Sequence, residues 1–205
     1  DLNALDGKTK EVITVEATTV TGTLADLNKI FVDATSAHFT TTNVTDVTVT
    51  DKTISAAQAN TITAAADVDV KATVTADSSA NLLDALKADA GNNNALTLTV
   101  NETTAKAANL KALNDLTTVD VNVAAVTTIT GALADVKELY VTKLADFTGL
   151  GNEAVTIEGA ALTLASGLAD LNGIAAATSG KVTATVTDTA DNLATLATAA
   201  TDAVT

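Results

Sequence analysis

Three nearly identical nonapeptides recur along this chain of 205 residues: TLADLNKIF at 23–31, ALADVKELY at 132–140 and GLADLNGIA at 167–175. Each places apolar residues at positions i, i+3 and i+6, which is the spacing of one face of a helix about two turns long. A helix so short is unstable alone in water and must lie against another element. The repeats therefore predict a fold built from many small units that share a core.

Four further segments carry the same triplet, with Ala at the first position in each. All seven triplets predict a short amphipathic helix whose apolar stripe is buried. The predicted core positions are Leu24, Leu27, Ile30, Leu83, Leu86, Leu110, Leu113, Leu133, Val136, Leu139, Leu168, Leu171, Ile174, Leu193 and Leu196.

Between the triplets, apolar residues alternate with Thr, Asp, Glu or Asn, as in EVITVE, DVTVTD and KVTATVTD. This alternation predicts strands with one buried face and one hydrated face. Two shorter windows, IFVD at 30–33 and LYVT at 139–142, directly follow their helices and are also predicted as strands. The centres of the nine predicted strands are on average about 21 residues apart, within the range in which one strand and one short helix form a repeat.

This pattern predicts an α/β solenoid over residues 1–205, with about nine right-handed coils of one strand plus one short helix and a parallel sheet along one side. A β-helix with few helices is the alternative. One coil buries too few apolar side chains to offset the entropy of ordering its residues, so neighbouring coils must stack. Neither end resembles a polar cap, which predicts one segment of a longer array or a subunit that stacks end to end.

The composition limits the partners of the chain. Acidic residues outnumber basic ones by 25 to 11, and the formal net charge of −14 argues against binding to nucleic acid or anionic lipid. No apolar stretch is long enough to predict a membrane span. The chain has no cysteine, which excludes disulfides, thiolate metal sites and a cysteine nucleophile.

Candidate catalytic residues are few. His38 is the only histidine, and TSAHFTT offers it no partner nearby, so we interpret it as a surface residue. The sequence lacks phosphate-binding glycine loops, the serine elbow and HExxH. We therefore predict that the protein is not an enzyme and has no cofactor. The aromatic residues Phe31, Phe39, Tyr140 and Phe147 are interpreted as filling space in irregular segments.

Two hypotheses concern the hydrated strand face. Asp67 and Asp69 flank one valine in ADVDVK and are predicted to share a strand face, where carboxylates of adjacent strands, about 4.8 Å apart, would suit Ca²⁺. No calcium-loop motif accompanies them, so a hydrated acidic surface is the alternative. Threonines in ALTLTVN and KVTATVTD are predicted to form rows of hydroxyls that could bind a glycan, mineral or ice surface.

The segment VTDTADNLATL at 186–196 resembles the V-T-D-T-A-x-N-L-x-x-L repeats of very large secreted and cell-surface bacterial proteins, including those of cyanobacteria. VTADSSANLLDAL and VNETTAKAANLKAL are similar but depart at the Thr-Ala pair. The resemblance implies a stalk or matrix module without catalytic residues. We therefore expect a non-enzymatic extracellular or cell-surface protein, either a self-assembling fibre or surface-layer subunit that associates through its terminal coils, or a rigid spacer.

Overall fold

The structure is a computed structural model that describes residues 1–86, 93–163 and 165–205. Within these residues, eight α-helices alternate with thirteen short strands. The helices are α1 (Leu2–Asp6), α2 (Leu24–Phe31), α3 (Ala56–Ala66), α4 (Ser79–Ala85), α5 (Ala107–Asn114), α6 (Leu133–Lys137), α7 (Ala165–Ala177) and α8 (Ala190–Leu193). The strands are β1 (Ile13–Thr14), β2 (Thr19–Gly22), β3 (Phe39–Thr40), β4 (Asp46–Val49), β5 (Asp69–Thr73), β6 (Ala95–Thr97), β7 (Thr104–Lys106), β8 (Val121–Asn122), β9 (Thr128–Gly131), β10 (Phe147–Thr148), β11 (Ala154–Ile157), β12 (Val182–Ala184) and β13 (Ala203–Val204).

The chain divides into two compact units. The first comprises Asp1–Thr75, Leu82–Leu98 and Leu116–Val119. It contains a two-stranded parallel sheet, β1-β3, and a four-stranded parallel sheet in the order β2-β4-β5-β6. In the larger sheet Val20, Val47 and Val70 are in register and buried, so one face of this sheet forms core while Thr and Asp side chains lie on the other.

The second unit comprises Ala76–Asn81, Thr99–Asp115 and Asp120–Thr205. It contains a two-stranded parallel sheet, β8-β10, and a five-stranded parallel sheet in the order β13-β12-β11-β9-β7. Ile129, Val155 and Val182 form its buried row, and all three have no exposed surface. The alternation of apolar and polar residues therefore produces the same two-faced sheet in both units.

The helix α2 shows how the repeated nonapeptide folds. The Thr23 side chain accepts a hydrogen bond from the Asp26 N–H at 3.3 Å, which caps the first turn. A second cap comes from a distant strand end, where Asp51 Oδ2 accepts the Leu24 N–H at 2.6 Å. Leu24, Leu27 and Ile30 are all buried, as the i, i+3, i+6 spacing predicts for one face of a short helix.

The prediction of an α/β solenoid with about nine coils and one parallel sheet along one side is wrong. The protein is a mixed α/β fold whose strands pair into separate parallel sheets of two, two, four and five strands within the described residues, none of them closed. The alternative, a β-helix with few helices, is also wrong, because the described chain forms eight α-helices of up to 13 residues.

The error has an identifiable physical source in the two short predicted strands. Residues 30–33 are instead the end of α2 and the start of the next turn, and residues 139–142 belong to a π-helical turn, Glu138–Thr142. A four-residue apolar run is compatible with either a strand or the last turn of a helix. Ile30 and Leu139 are the third members of helical stripes, so the helical packing determines the conformation of both windows.

Most of the predicted core positions are buried in the structure. These are Leu24, Leu27, Ile30, Leu86, Leu110, Leu113, Val136, Leu139, Leu168, Leu171 and Ile174. Leu83, Leu133 and Leu196 are only partly buried, and Leu193 is 36% exposed. In α4 and directly after it the buried residues are Ser79, Leu82 and Leu86, so Leu83 lies at the border of the buried stripe. Leu193 ends a helix of only four residues, too short to carry a buried stripe.

Candidate functional site

A buried carboxylate, Glu153, is the most unusual side chain in the second unit. It has no exposed surface and lies directly before β11. Its Oε2 accepts three hydrogen bonds, from the Tyr140 hydroxyl at 2.8 Å and from the backbone N–H groups of Gly151 at 2.8 Å and Asn152 at 3.1 Å. Its Oε1 is buried and has no hydrogen-bond partner among the described residues.

The backbone around Glu153 is held by a second turn. The Thr178 hydroxyl donates to the Glu153 carbonyl at 2.8 Å and accepts the Gly180 N–H at 3.0 Å. Gly180 approaches so closely that a Cβ atom at this position would lie 2.0 Å from the Glu153 carbonyl oxygen. We call Tyr140, Gly151, Glu153, Thr178 and Gly180 the Glu153 cluster. Because Glu153 is sealed from solvent, this arrangement suits structural stabilisation rather than reaction with a soluble substrate.

Tyr140 is also buried, with 1% of its surface exposed. Burial is the largest cause of a strongly raised pKa for its hydroxyl, followed by the hydrogen bond to Glu153 and the charge of that carboxylate. All three causes favour the neutral phenol, which can donate to Glu153. Tyr140 is therefore a functional part of the fold, whereas the sequence alone suggested only a space-filling residue.

We expect the stability of the protein to fall with rising pH because of Tyr140. In the unfolded chain tyrosine ionises near pH 10, whereas the folded protein retains the proton, so the unfolded state binds fewer protons above that pH. Each pH unit between the unfolded and folded pKa values should then cost about 1.4 kcal/mol of unfolding free energy. Urea unfolding between pH 8 and about pH 11 measures this loss.

Tyr140→Phe is the control for this titration, because it removes the ionising group while the eleven basic residues remain. The variant should lose stability less steeply above pH 10 than the wild type. Since Tyr140 is the only tyrosine, absorbance near 295 nm reports its ionisation without interference. Ionisation of the folded protein near pH 10, with equal slopes in both proteins, would contradict the prediction.

The sequence carries a signal for Glu153 that lies outside the repeat pattern. Glu153 lies two residues before Val155 in GNEAVTIE, and Val155 is fully buried. Side chains two residues apart in a strand point to the same face, so Glu153 is expected on the buried face with Val155. An acidic residue at a position that alternation places on the buried face, next to a glycine-rich turn, indicates a carboxylate that accepts hydrogen bonds from that turn.

A second candidate site is a groove of about 330 Å³ on the hydrated face of the four-stranded sheet. It is lined by the polar residues Thr19, Asp46, Thr48, Asp69, Lys71 and Asn93. Asp46 and Asp69 are in register on β4 and β5, so their Cα atoms are separated by one strand spacing. Asp46 Oδ2 accepts the Thr45 hydroxyl at 2.7 Å, and Asp69 Oδ1 accepts the Asn93 N–H at 2.8 Å.

The predicted pairing of Asp67 with Asp69 on one strand face does not occur. Asp67 is the exposed residue that ends α3, in a left-handed conformation with φ of 52°, whereas β5 begins at Asp69. Asp69 is therefore brought together with Asp46 and not with Asp67. Within the described ranges, no group of three or more His, Cys, Asp or Glu side chains could hold a metal ion.

His38 has a partner that its sequence neighbourhood does not reveal. Its Nδ1 lies 2.9 Å from Asp6 Oδ1, and 57% of the His38 side chain is exposed. The two residues are 32 positions apart in sequence, at the ends of α1 and of the short 3₁₀ helix Ala34–His38. This is a surface pair that connects two helical turns of the first unit.

Comparison with known proteins returned no matching family model, no similar curated protein and no similar solved structure. None of the helices in the described parts of the chain is long and apolar enough to cross a membrane.

Proposed function

We propose that this chain is a non-enzymatic structural module of an extracellular or cell-surface protein, and that copies of it associate with one another. The observation that carries the proposal is the presence of open edge strands in its two larger sheets, which are β2 and β6 in one and β13 and β7 in the other within the described residues. Within the described residues β2 pairs only with β4, and β13 pairs only with β12. An edge strand presents unpaired backbone N–H and C=O groups, which are a template for pairing with another chain.

The β2 edge also has unfilled space beside it. A groove of about 410 Å³ is lined by Asp1 and Leu2 together with residues of β1, β2 and the segment between these strands, including Val15 and Val20. A neighbouring groove of about 260 Å³ is lined by Leu2, Val20, Leu27 and Ile30. Apolar side chains and open backbone groups at the same edge are the features used in strand addition.

The extracellular location rests on composition and on the resemblance of residues 186–196 to repeats of secreted bacterial proteins. An acidic chain without cysteine is compatible with that location, since it depends on neither disulfides nor a reducing compartment. Secretion of the parent protein, followed by immunodetection at the cell surface, tests this part of the proposal. Detection in the cytoplasm alone would contradict it.

Association should strengthen with ionic strength. Each copy carries a formal net charge of −14, so copies repel one another at low salt. Raising the ionic strength from about 0.01 M to about 1 M shortens the screening length from roughly 30 Å to roughly 3 Å. Sedimentation velocity over a concentration series should show larger species at high salt, and electron microscopy should show filaments or sheets.

A protein that remains monomeric at every concentration and salt level would contradict self-association and would favour the rigid-spacer interpretation. Multimers that dissociate as salt increases would also contradict the proposal, since they would indicate pairing by surface charges. Sodium chloride is preferred to sulfate in this series, because sulfate strengthens apolar association in general.

A second candidate function is binding to a glycan, mineral or ice surface through threonine hydroxyls. The observation that favours it is a row formed by Thr130, Thr156 and Thr183, which are in register on three adjacent strands and partly exposed. Pull-down on these surfaces with Thr156→Lys, compared with Thr201→Lys in an exposed turn, separates the two functions. Equal retention of both variants would exclude the row as a binding surface.

A further inference from the structure

We propose that the edge of β2 in one copy accepts strand β13 of a second copy, with Val20 and Val204 side by side. This inference rests on the proposed self-association and specifies which strands meet and in what register. The two edges belong to different sheets of the chain, so the contact is heterologous, and each copy offers one edge for a preceding copy and one for a following copy.

The backbone groups of β13 point in a direction that suits this contact. Val204 is in register with Ala184 of β12, and the Thr205 N–H donates to the Ala184 carbonyl at 3.0 Å. Successive residues of a strand direct their N–H and C=O groups to opposite sides. The N–H and C=O groups of Val204 therefore point away from β12, toward the open edge.

The backbone groups of β2 complement them. The carbonyls of Thr18 and Gly22 accept hydrogen bonds from the N–H groups of Asp46 and Thr50, at 3.1 and 2.9 Å. Residues 18, 20 and 22 thus bond toward β4, and the groups of Thr19 and Thr21 point toward the open edge. A docked β13 can donate from the Val204 N–H to the Thr19 carbonyl and accept the Thr21 N–H at the Val204 carbonyl.

Side chains select this register from those that the backbone allows. Val20 is buried on the core face of β2, and Val204 is in register with the buried Ala184, so it lies on the core face of β13. Pairing Val20 with Val204 continues a buried apolar row in both sheets. A shift by two residues would place Val204 beside the exposed Thr18 or beside Gly22, and would lose that contact.

The helices beside these strands add apolar surface. The helix α1 packs against α2, and α8 packs against α7. Each carries an exposed leucine, since Leu5 is 49% exposed and Leu193 is 36% exposed. Burying leucines of this kind contributes about 1.5–3 kcal/mol per side chain, which helps to offset the entropic cost of association. The two short strands alone would not suffice.

Cysteine cross-linking tests the register directly, because the chain has no native cysteine. In the proposed contact Thr19 of one copy is in register with Ala203 of the next, and adjacent strands place such Cα atoms about 4.8 Å apart, within disulfide range. The variant Thr19→Cys/Ala203→Cys should form a ladder of multimers on a non-reducing gel after mild oxidation. The ladder should collapse to monomer on reduction.

The matched control is Thr130→Cys/Ala203→Cys, which moves one thiol to an interior strand of the five-stranded sheet. It should give dimers at most. Circular dichroism of the reduced variants confirms that both are folded. A ladder in both variants would overturn the β2–β13 contact. The contact would also be overturned if neither variant gave a ladder while sedimentation still showed multimers. Self-association itself would stand in both cases. Absence of both the ladder and multimers would overturn the two together.

Discussion

Gly180→Ala should leave little folded protein at room temperature. The added Cβ would lie 2.0 Å from the Glu153 carbonyl oxygen, 2.3 Å from its carbonyl carbon and 2.7 Å from the Ala154 nitrogen. All three are backbone atoms, so no side-chain rotation can relieve the clash. We expect a loss of about 4–5 kcal/mol or more, comparable with the whole stability of many domains. Urea unfolding followed by circular dichroism measures it.

Gly167→Ala is the control for this substitution. The nearest atoms to its added Cβ are side-chain carbons at 3.8 and 3.9 Å, which is ordinary contact distance. Gly167 lies within α7, where alanine is favoured over glycine by roughly 0.5–1 kcal/mol. This variant should be as stable as the wild type or slightly more stable. If Gly180→Ala proved equally tolerated, the close packing of the Glu153 cluster would be refuted.

Glu153→Ala should have the second largest effect. It removes the acceptor of three hydrogen bonds and leaves the buried Tyr140 hydroxyl and the N–H groups of Gly151 and Asn152 without that partner. The buried Tyr140 hydroxyl without an acceptor costs about 1–3 kcal/mol, the two lost bonds from part-buried N–H groups to a charged acceptor add to this loss, and the vacated volume adds a cavity term. We expect a loss of about 4 kcal/mol or more in the free energy of unfolding, measured by urea titration.

Two comparison variants make this prediction specific. Glu158→Ala changes an exposed carboxylate just after the same strand and should alter stability by less than about 0.5 kcal/mol. Glu153→Gln keeps one acceptor oxygen and should lose less stability than Glu153→Ala. If Glu153→Ala matched Glu158→Ala, the three hydrogen bonds would have no net stabilising role.

The local elements were largely predictable from the sequence, because alternation and helical spacing act over a few residues. The period-two windows around β4, β5 and β11 are strands, and the repeated nonapeptides contain α2 and α6 and form the middle of α7. The four-residue strands β2 and β9, TVTG and TITG, were overlooked, since each is followed at once by a helix and resembles its N-terminal cap. Short strands have weak patterns, yet β2 ends the four-stranded sheet and β9 joins β7 to β11 in the five-stranded sheet.

Sheet organisation was not predictable from the repeat spacing. An average of about 21 residues between strand centres conceals segments of unequal length, and whether adjacent strands join one sheet depends on backbone pairing across distant residues. Likewise, Leu82 rather than Leu83 faces the core because the start of α4 sets the phase of its stripe. The hydrogen bond between Tyr140 and Glu153 joins residues 13 positions apart, and the chain between them passes through a π-helical turn, a 3₁₀ turn and β10, so no single period relates the two residues.

The most direct test of self-association through open strand edges is sedimentation velocity on the wild type, Val204→Asp and Ala203→Asp at high salt. Both variants add one negative charge to β13, but Val204 lies on the core face of the strand and Ala203 on the other. We predict concentration-dependent growth of the wild-type species, similar or modestly reduced growth for Ala203→Asp, and monomers for Val204→Asp. Equal behaviour of all three proteins would contradict the account.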